Sequence, residues 1–254
     1  MFQNKNTFTM KIKYIVPLFL LAISMACITC QNSPSNGQQA SMFPRGAVQH
    51  LDRFESEIQA FEQADKTAMP EEGSILFVGS SSIRKWSSLA GDFAPLPVIN
   101  RGFGGSTIAE VNYYADRIVY KYKPRVIVFY CGENDIAEKT PVAVVFQDFK
   151  KFIGETEKNL RGVPVVYISA KPSPARWDKW RQFQTLNKMI EQFAKGRPGL
   201  HFVDISQALL GENGQPDPSL FVEDGLHMNE KGYEKWTALL RPVVEELYVE
   251  KIEQ

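Results

Sequence analysis

Four short segments of the chain carry groups that together could transfer an acyl group. A serine, Ser81, follows an apolar run, and a pair of glycines ends at Gly105. Further along lie Asn134, within Gly-Glu-Asn-Asp, and then Asp224 and His227, within Asp-Gly-Leu-His. Acyl transfer needs a nucleophile, a base, a group that orients the base and donors for the oxyanion. These segments contain all four.

Each segment by itself has a simpler explanation. The serines at 80–82 could be helix caps or turn residues, and the glycines at 104–105 could form only a tight turn. Asn134 could make a cap or an Asx turn, and Asp224 with His227 could cap the last helix. Four coincidences in this order, each after a predicted strand, are much less expected than one functional site.

The segments that must position these groups alternate between apolar strands and amphipathic helices. The predicted strands are residues 75–78, 97–100, 125–130, 163–169 and 201–205. Apolar residues at helical spacing predict helices over residues 50–66, 108–118, 145–160, 183–193 and 233–247. Residues 83–86 are predicted to be the first turn of a further helix. The pattern indicates an α/β fold with a parallel sheet covered on both faces, whose ligands bind beyond the carboxyl ends of the strands.

Composition and charge are those of an ordinary globular domain. The 254 residues are 44% hydrophobic and 23% charged, and 29 basic side chains balance 29 acidic ones, so no basic excess points to nucleic acid. The three histidines, His50, His201 and His227, have no metal-ligand spacing, and no metal or organic cofactor is expected. Cys131 ends an apolar strand and is predicted to be a small buried hydrophobe rather than a nucleophile.

The N-terminus has the pattern of an export signal. Two lysines precede an apolar stretch at residues 15–28, which is too short to span a membrane. The run ending in Ala-Cys at Cys27 resembles a bacterial lipoprotein signal, so residues 1–30 are predicted to be that signal and Cys27 the lipidated residue. Cys30 is the alternative site, Met10 is an alternative start of translation, and an ordinary secretory signal is the other interpretation.

The rest of the chain is predicted to be a tether followed by one domain. Residues 31–42 are rich in Ser, Asn and Gln and are expected to be flexible, and residues 43–254 suit a single domain with a full core. The protein is therefore predicted to be exported to the periplasm or outer membrane of a bacterium and to be attached to the membrane only by a lipid anchor.

The four segments resemble the sequence blocks of the SGNH hydrolases, also called the GDSL esterase and lipase family, over most of the chain after residue 74. The resemblance implies a three-layer α/β/α sandwich, flavodoxin-like, with a five-stranded parallel sheet. It implies that Ser81 is the nucleophile of an esterase, that His227 is its base and that Asp224 orients the base. The N–H groups of Ser81 and Gly105 and the amide of Asn134 would hold the oxyanion.

One position departs from the family pattern. The usual Gly-Asp-Ser is Gly79-Ser80-Ser81 here, so Ser80 is an alternative nucleophile. An α/β-hydrolase is the nearest rival fold, but its G-x-S-x-G elbow requires a glycine where Ile83 stands.

The substrate is the least determined part of the prediction. Residues 171–177 follow the fourth strand and could be a rigid connection or a pocket wall that touches the substrate through Arg176 or Trp177. Trp86 and Trp180 are expected to be packing residues. Short loops without a long apolar lid favour small acyl groups, such as acetyl on a carbohydrate. A lysophospholipase or thioesterase is the enzymatic alternative, and a glycan-binding lipoprotein without catalysis is the alternative of another class.

Overall fold

The structure is a computed structural model, and it describes residues 51–251. Within them lies a sheet of five parallel strands in the order β2-β1-β3-β4-β5. The strands are β1 (Ile75–Gly79), β2 (Val98–Gly102), β3 (Val126–Tyr130), β4 (Val165–Ile168) and β5 (Leu200–Val203). The strand order places β1 at an interior position, with β2 and β3 as its neighbours.

Helices connect the strands and cover both faces of the sheet. The helices before β3 are α1 (Glu55–Thr67), α2 (Ser81–Arg84), α3 (Leu89–Asp92) and α4 (Ile108–Ile118). Those after β3 are α5 (Glu133–Ala137), α6 (Val142–Asn159), α7 (Trp180–Ala194) and α8 (Glu230–Glu250). Short 3₁₀ helices lie at Tyr120–Tyr122, Pro174–Lys179, Gln207–Leu209 and Pro218–Leu220.

Two apolar cores lie on opposite faces of the sheet. Successive side chains of a strand point to opposite faces, so Leu76 and Val78 of β1 join one core while Ile75 and Phe77 join the other. Helices α1, α4, α6 and α7 cover the first core, and α2, α3 and α8 cover the second. Every residue of β3 is buried, as expected for an interior parallel strand. The predicted α/β fold with a five-stranded parallel sheet is therefore confirmed.

Several predicted boundaries differ from the structure. The second strand runs two residues further than predicted, to Gly102, and the first helix begins at Glu55 rather than at residue 50. The last strand ends at Val203. Beyond it, the side chain of Ser169 replaces backbone pairing with β4: the Ser169 hydroxyl donates to Asp204 and accepts the N–H of Ile205.

The helix predicted after the serines is only one turn long. Helix α2 ends at Arg84, and the chain then buries the indole of Trp86. That ring stacks on Tyr233, with centroids 5.1 Å apart, and its N–H donates to Asp92. Trp86 is thus a packing residue, as predicted, and Trp180 also packs against the core that α7 covers.

The predictions for the N-terminus concern residues outside the described part. These are the signal at 1–30, the tether at 31–42, the alternative start at Met10, the cysteines at 27 and 30, and His50. The domain boundary at residue 43 also stays a prediction. Of the helices in residues 51–251, none is long and apolar enough to cross a membrane.

Candidate active site

The order of the strands brings three of the four segments together. Gly79, the last residue of β1, is in register with Gly102 of β2 on one side and with Tyr130 of β3 on the other. The chain leaves all three strands at the same edge of the sheet, so the residues that follow them are neighbours. These residues include Ser81, the loop at 103–107 and Asn134.

The turn after β1 depends on a glycine. Gly79 has φ +136°, and a Cβ there would lie 1.9 Å from the carbonyl oxygen of Tyr130, so no larger residue fits. The turn starts α2 at Ser81, which is partly exposed, whereas Ser80 and Ser82 are buried.

A hydrogen-bonded chain links Ser81 to the pair near the C-terminus. His227 Nε2 lies 2.8 Å from Ser81 Oγ, and His227 Nδ1 lies 2.5 Å from Asp224 Oδ2. The other carboxylate oxygen, Oδ1, accepts the N–H groups of Leu226 and His227, each at 2.8 Å. The turn therefore fixes the carboxylate, and the carboxylate fixes the imidazole with Nε2 directed at the hydroxyl. Ser81 is the one of the three serines that contacts His227.

The surroundings of this pair shift both ionisations downwards. Burial lowers the pKa of His227 below its ordinary value of 6.5, against the opposing effect of Asp224, and the positive charges of Lys85 and Lys171 lower it further. Burial would raise the pKa of Asp224, but the hydrogen bonds from the His227 ring, the His227 backbone and Leu226 outweigh it and hold the pKa well below its usual range. At neutral pH the imidazole is thus uncharged and the carboxylate ionised.

Lys85 was not predicted as a site residue. Its ammonium lies 3.1 Å from His227 Nδ1 and 3.9 Å from Asp224 Oδ2, and its side chain is 43% exposed. The lysine follows α2, which begins at Ser81. A lysine in a polar stretch gives no sequence signal of such a contact, which arises only when the C-terminal turn folds over α2.

The loops after β2 and β3 hold the other candidate oxyanion donors. Gly105 has φ +70°, a backbone conformation suited to glycine, and the next carbonyl, of Ser106, accepts Asn134 Nδ2 at 2.9 Å. Among the described residues, none accepts the N–H of Ser81 or of Gly105. A helix N-terminus leaves such donors free.

Neighbouring buried groups tie the same two loops together. Asp135 accepts the N–H of Ile108, the first residue of α4, at 3.0 Å, and burial raises the pKa of this carboxyl to about 7. The thiol of Cys131 donates to the Ser106 carbonyl at 3.2 Å, and burial raises its pKa well above the usual value. Cys131 is therefore a buried packing residue, as predicted.

The segment at 171–177 reaches the site through one of its two predicted residues. Arg176 Nη2 donates to Asn134 Oδ1 at 2.8 Å, whereas the ring of Trp177 stacks on Trp180, with centroids 6.0 Å apart. Lys171 is fully buried and pairs at 2.8 Å with Oε2 of Glu133, the residue before Asn134. No sequence signal indicates this pair, because lysine and glutamate are usually surface residues.

Residues 51–251 contain no set of side chains that could bind a metal ion. No group of three or more His, Cys, Asp or Glu side chains among residues 51–251 could hold a metal ion. His201 lies on β5, away from the three segments around Ser81.

The comparisons with known proteins identify the family. The family model of the GDSL-like lipase/acylhydrolase family matches residues 73–235, more than half of the chain. The chain belongs to this family and is a carboxylic ester hydrolase. No curated protein matches the chain.

Solved structures share the fold. A protein of Streptococcus pneumonia, provisionally described as a platelet activating factor, has TM-score 0.68 at 20% identity, over 76% of this chain and 94% of its own. A GDSL-like lipase of Bacteroides thetaiotaomicron has TM-score 0.62 at 25% identity, over 78% and 98%. A mutant of the acetyl-xylooligosaccharide esterase of Geobacillus Stearmophilus has TM-score 0.56 at 14% identity, over 67% and 93%.

Proposed function

We propose that this hydrolase cleaves esters of short acyl groups through an acyl-enzyme on Ser81. The observation that carries the proposal is the hydrogen-bonded chain from Ser81 Oγ through His227 to Asp224. A hydroxyl is a weak nucleophile until a neighbouring base takes its proton, and a neutral imidazole oriented by a carboxylate is such a base.

The reaction runs in two halves. Ser81 Oγ attacks the ester carbonyl while His227 Nε2 accepts its proton, and the ionised Asp224 stabilises the imidazolium. The imidazolium then protonates the departing alcohol, leaving an acyl group on Ser81. Water attacks this ester with His227 again as base, which releases the acid and restores the serine.

The negative oxygen formed in each half requires donors that are already in place. The N–H groups of Ser81 and Gly105 are free among the described residues, and Asn134 Nδ2 has a second hydrogen besides the one given to Ser106. Each such donor is typically worth about 2.7–4 kcal/mol in the transition state. Three of them supply a large part of the barrier reduction without a metal.

The segments around the site favour small acyl groups. The chain runs directly from β1 into α2, only residues 103–107 separate β2 from α4, and most of the large apolar side chains in the long segment at 204–229 are buried. Among the described segments that follow the strands at this edge, Val222 is the one exposed large apolar side chain. Little apolar surface is therefore available for a long acyl chain. The Geobacillus neighbour, named as an esterase of acetylated xylooligosaccharides, is an example of this fold with such a substrate.

A chain-length series of p-nitrophenyl esters tests this proposal, with Ser81→Ala as the inactive control. We expect acetyl and propionyl esters to have the highest kcat/KM and esters beyond about eight carbons to have the lowest. Each further CH₂ could add about 0.8 kcal/mol only where a pocket receives it. A steady rise to long chains would favour a lysophospholipase or thioesterase, and glycan binding without any turnover would favour the binding protein.

We also propose that the enzyme is an exported bacterial lipoprotein that acts on a glycan ester outside the cytoplasm. The charged start, the short apolar stretch and Cys27 support this proposal. Globomycin treatment of expressing cells, which blocks lipoprotein signal cleavage, should make the precursor accumulate. Normal processing under that treatment would favour an ordinary secretory signal over a lipoprotein signal.

A further inference from the structure

Arg176 occupies an unusual place for a substrate-binding residue. Its guanidinium donates through Nη2 to the side-chain amide oxygen of Asn134, Oδ1, at 2.8 Å, and its side chain is only 19% exposed. The contact is thus made to a residue that we propose as an oxyanion donor, on the oxygen of that amide rather than on the nitrogen.

The contact decides which way the amide faces. The oxygen and nitrogen of an asparagine amide are alike in shape, so its hydrogen-bond partners set its orientation. Arg176 has only donors and therefore requires the oxygen, while the carbonyl of Ser106 only accepts and therefore requires the nitrogen, at 2.9 Å. The two partners select one orientation of Asn134. With the amide reversed, its oxygen would take the place of a donor.

The guanidinium and the loop that carries it each have a further contact. Glu133 Oε2 lies 4.0 Å from Arg176 Nη1 and also pairs with the fully buried Lys171. The N–H of Ala175 donates to the carbonyl of Gly225 at 3.0 Å, which ties the loop to the turn that holds Asp224. A side chain fixed in this way loses little conformational entropy when it holds a neighbour.

We propose that Arg176 is a positioning residue that holds Asn134 in the orientation needed to stabilise the oxyanion. This proposal rests on the proposed ester hydrolysis and assigns a role within the same site. It differs from the expectation that Arg176 touches the substrate as part of a pocket wall, and the two roles differ in the kinetic constant they affect. A positioning role lowers kcat, whereas a substrate contact present in the ground state raises KM.

The test is a double-mutant cycle on the full-length protein with p-nitrophenyl acetate. We expect Arg176→Met to lower kcat by about tenfold to a hundredfold, less than Asn134→Ala does, because Ser106 still accepts from the amide nitrogen. KM should change less than about twofold. In the Asn134→Ala background, Arg176→Met should change kcat less than about twofold, because the group through which it acts is gone. Arg176→Lys retains one donor and should restore part of kcat.

Arg181, exposed on α7, provides the matched control. Arg181→Met removes the same charge and side chain nearby, and it should leave kcat and KM at the wild-type values. A thermal unfolding curve and labelling of Ser81 by a serine-directed phosphonate identify any variant that fails to fold, in which case Arg176→Lys and Arg176→Gln replace it.

The results separate the possible roles clearly. Losses that add up in the double variant, a rise in KM at unchanged kcat, or full activity of Arg176→Met would each overturn the positioning role. Failure of the proposed function looks different: the wild type would then hydrolyse no ester, or Ser81→Ala would remain active.

Discussion

Asn134 contributes to the proposed site in a way that a single substitution can measure. One hydrogen of Nδ2 goes to the Ser106 carbonyl at 2.9 Å, and the oxygen accepts from Arg176 at 2.8 Å. The second hydrogen of Nδ2 remains for the oxyanion. Asn134→Ala removes this donor together with both structural hydrogen bonds, so it should affect both catalysis and stability.

The two effects differ in size and in what they change. Loss of one preorganised oxyanion donor typically lowers kcat about 100- to 1,000-fold, which corresponds to about 2.7–4 kcal/mol. KM should change little, because the donor meets full negative charge only in the transition state. Loss of one neutral hydrogen bond, worth about 0.5–1.5 kcal/mol, and of one from a charged guanidinium, worth about 1.5–3 kcal/mol, should lower the free energy of unfolding by about 2–4.5 kcal/mol.

Asn187 offers a control that separates these effects. It is also buried, 8% exposed against 7% for Asn134, and its amide likewise makes two hydrogen bonds, both to the backbone of Ala170, at 2.8 and 2.9 Å. Asn187→Ala should therefore lower the free energy of unfolding by about 1–3 kcal/mol in urea denaturation, a range that overlaps the one expected for Asn134→Ala. Its kcat should stay within about threefold of the wild type in the same ester assay.

Comparing kcat of Asn134→Ala with kcat of Asn187→Ala tests whether Asn134 is an oxyanion donor. If Asn134→Ala and Asn187→Ala lost kcat to the same extent, the loss would reflect weakened structure and not an oxyanion donor. An Asn134→Ala variant with tenfold higher KM and normal kcat would place Asn134 in substrate binding, which would refute the reasoning.

Three further predictions address the nucleophile, the base and the anchor. Ser81→Ala should abolish hydrolysis and phosphonate labelling while Ser80→Ala keeps most of both, and the reverse result would assign the attack to Ser80. Because burial and nearby positive charge lower the pKa of His227, kcat/KM should rise with pH through an ionisation below 6.5; Lys85→Met removes a positive charge, so this rise should move to higher pH, and an unmoved profile would exclude the charge effect. Cys27→Ala should leave the precursor unprocessed in the membrane fraction or release the protein into the aqueous phase of a detergent partition, whereas a processed variant that still partitions into detergent would exclude Cys27 as the anchor.

Much of the fold could be predicted because its signals are local. An apolar run such as that of β3 predicts a strand buried on both faces, and an apolar stripe such as that of α7 predicts a helix on a sheet. The one-turn helices α2 and α5 could not be predicted by periodicity, since a single turn has no period to detect. Their presence is set by the turns around them and by burial of side chains such as Trp86.

The site could be predicted only as far as each residue type has its own signal. Ser81, Asn134 and His227 stand out because they follow predicted strands or pair with an acid at short spacing. Arg176 was singled out, but for contact with substrate, and its partner Asn134 lies far from it in sequence. Lys85 had no signal, because its contact with the acid and base exists only once the C-terminal turn has folded onto α2.

The geometry of the nucleophile and base depends on a contact that takes no part in the reaction. Ser81 belongs to the start of α2, while His227 lies just before α8, and their side chains must meet within hydrogen-bond distance. The hydroxyl of Tyr233, on the first turns of α8, donates to the carbonyl of Ser82 at 2.8 Å, and its ring stacks on Trp86. Both contacts are buried, so they fix the start of α8 against the residues that follow the nucleophile. The 2.8 Å contact between Ser81 and His227 therefore depends on core packing beneath the site as well as on the turn that carries Asp224.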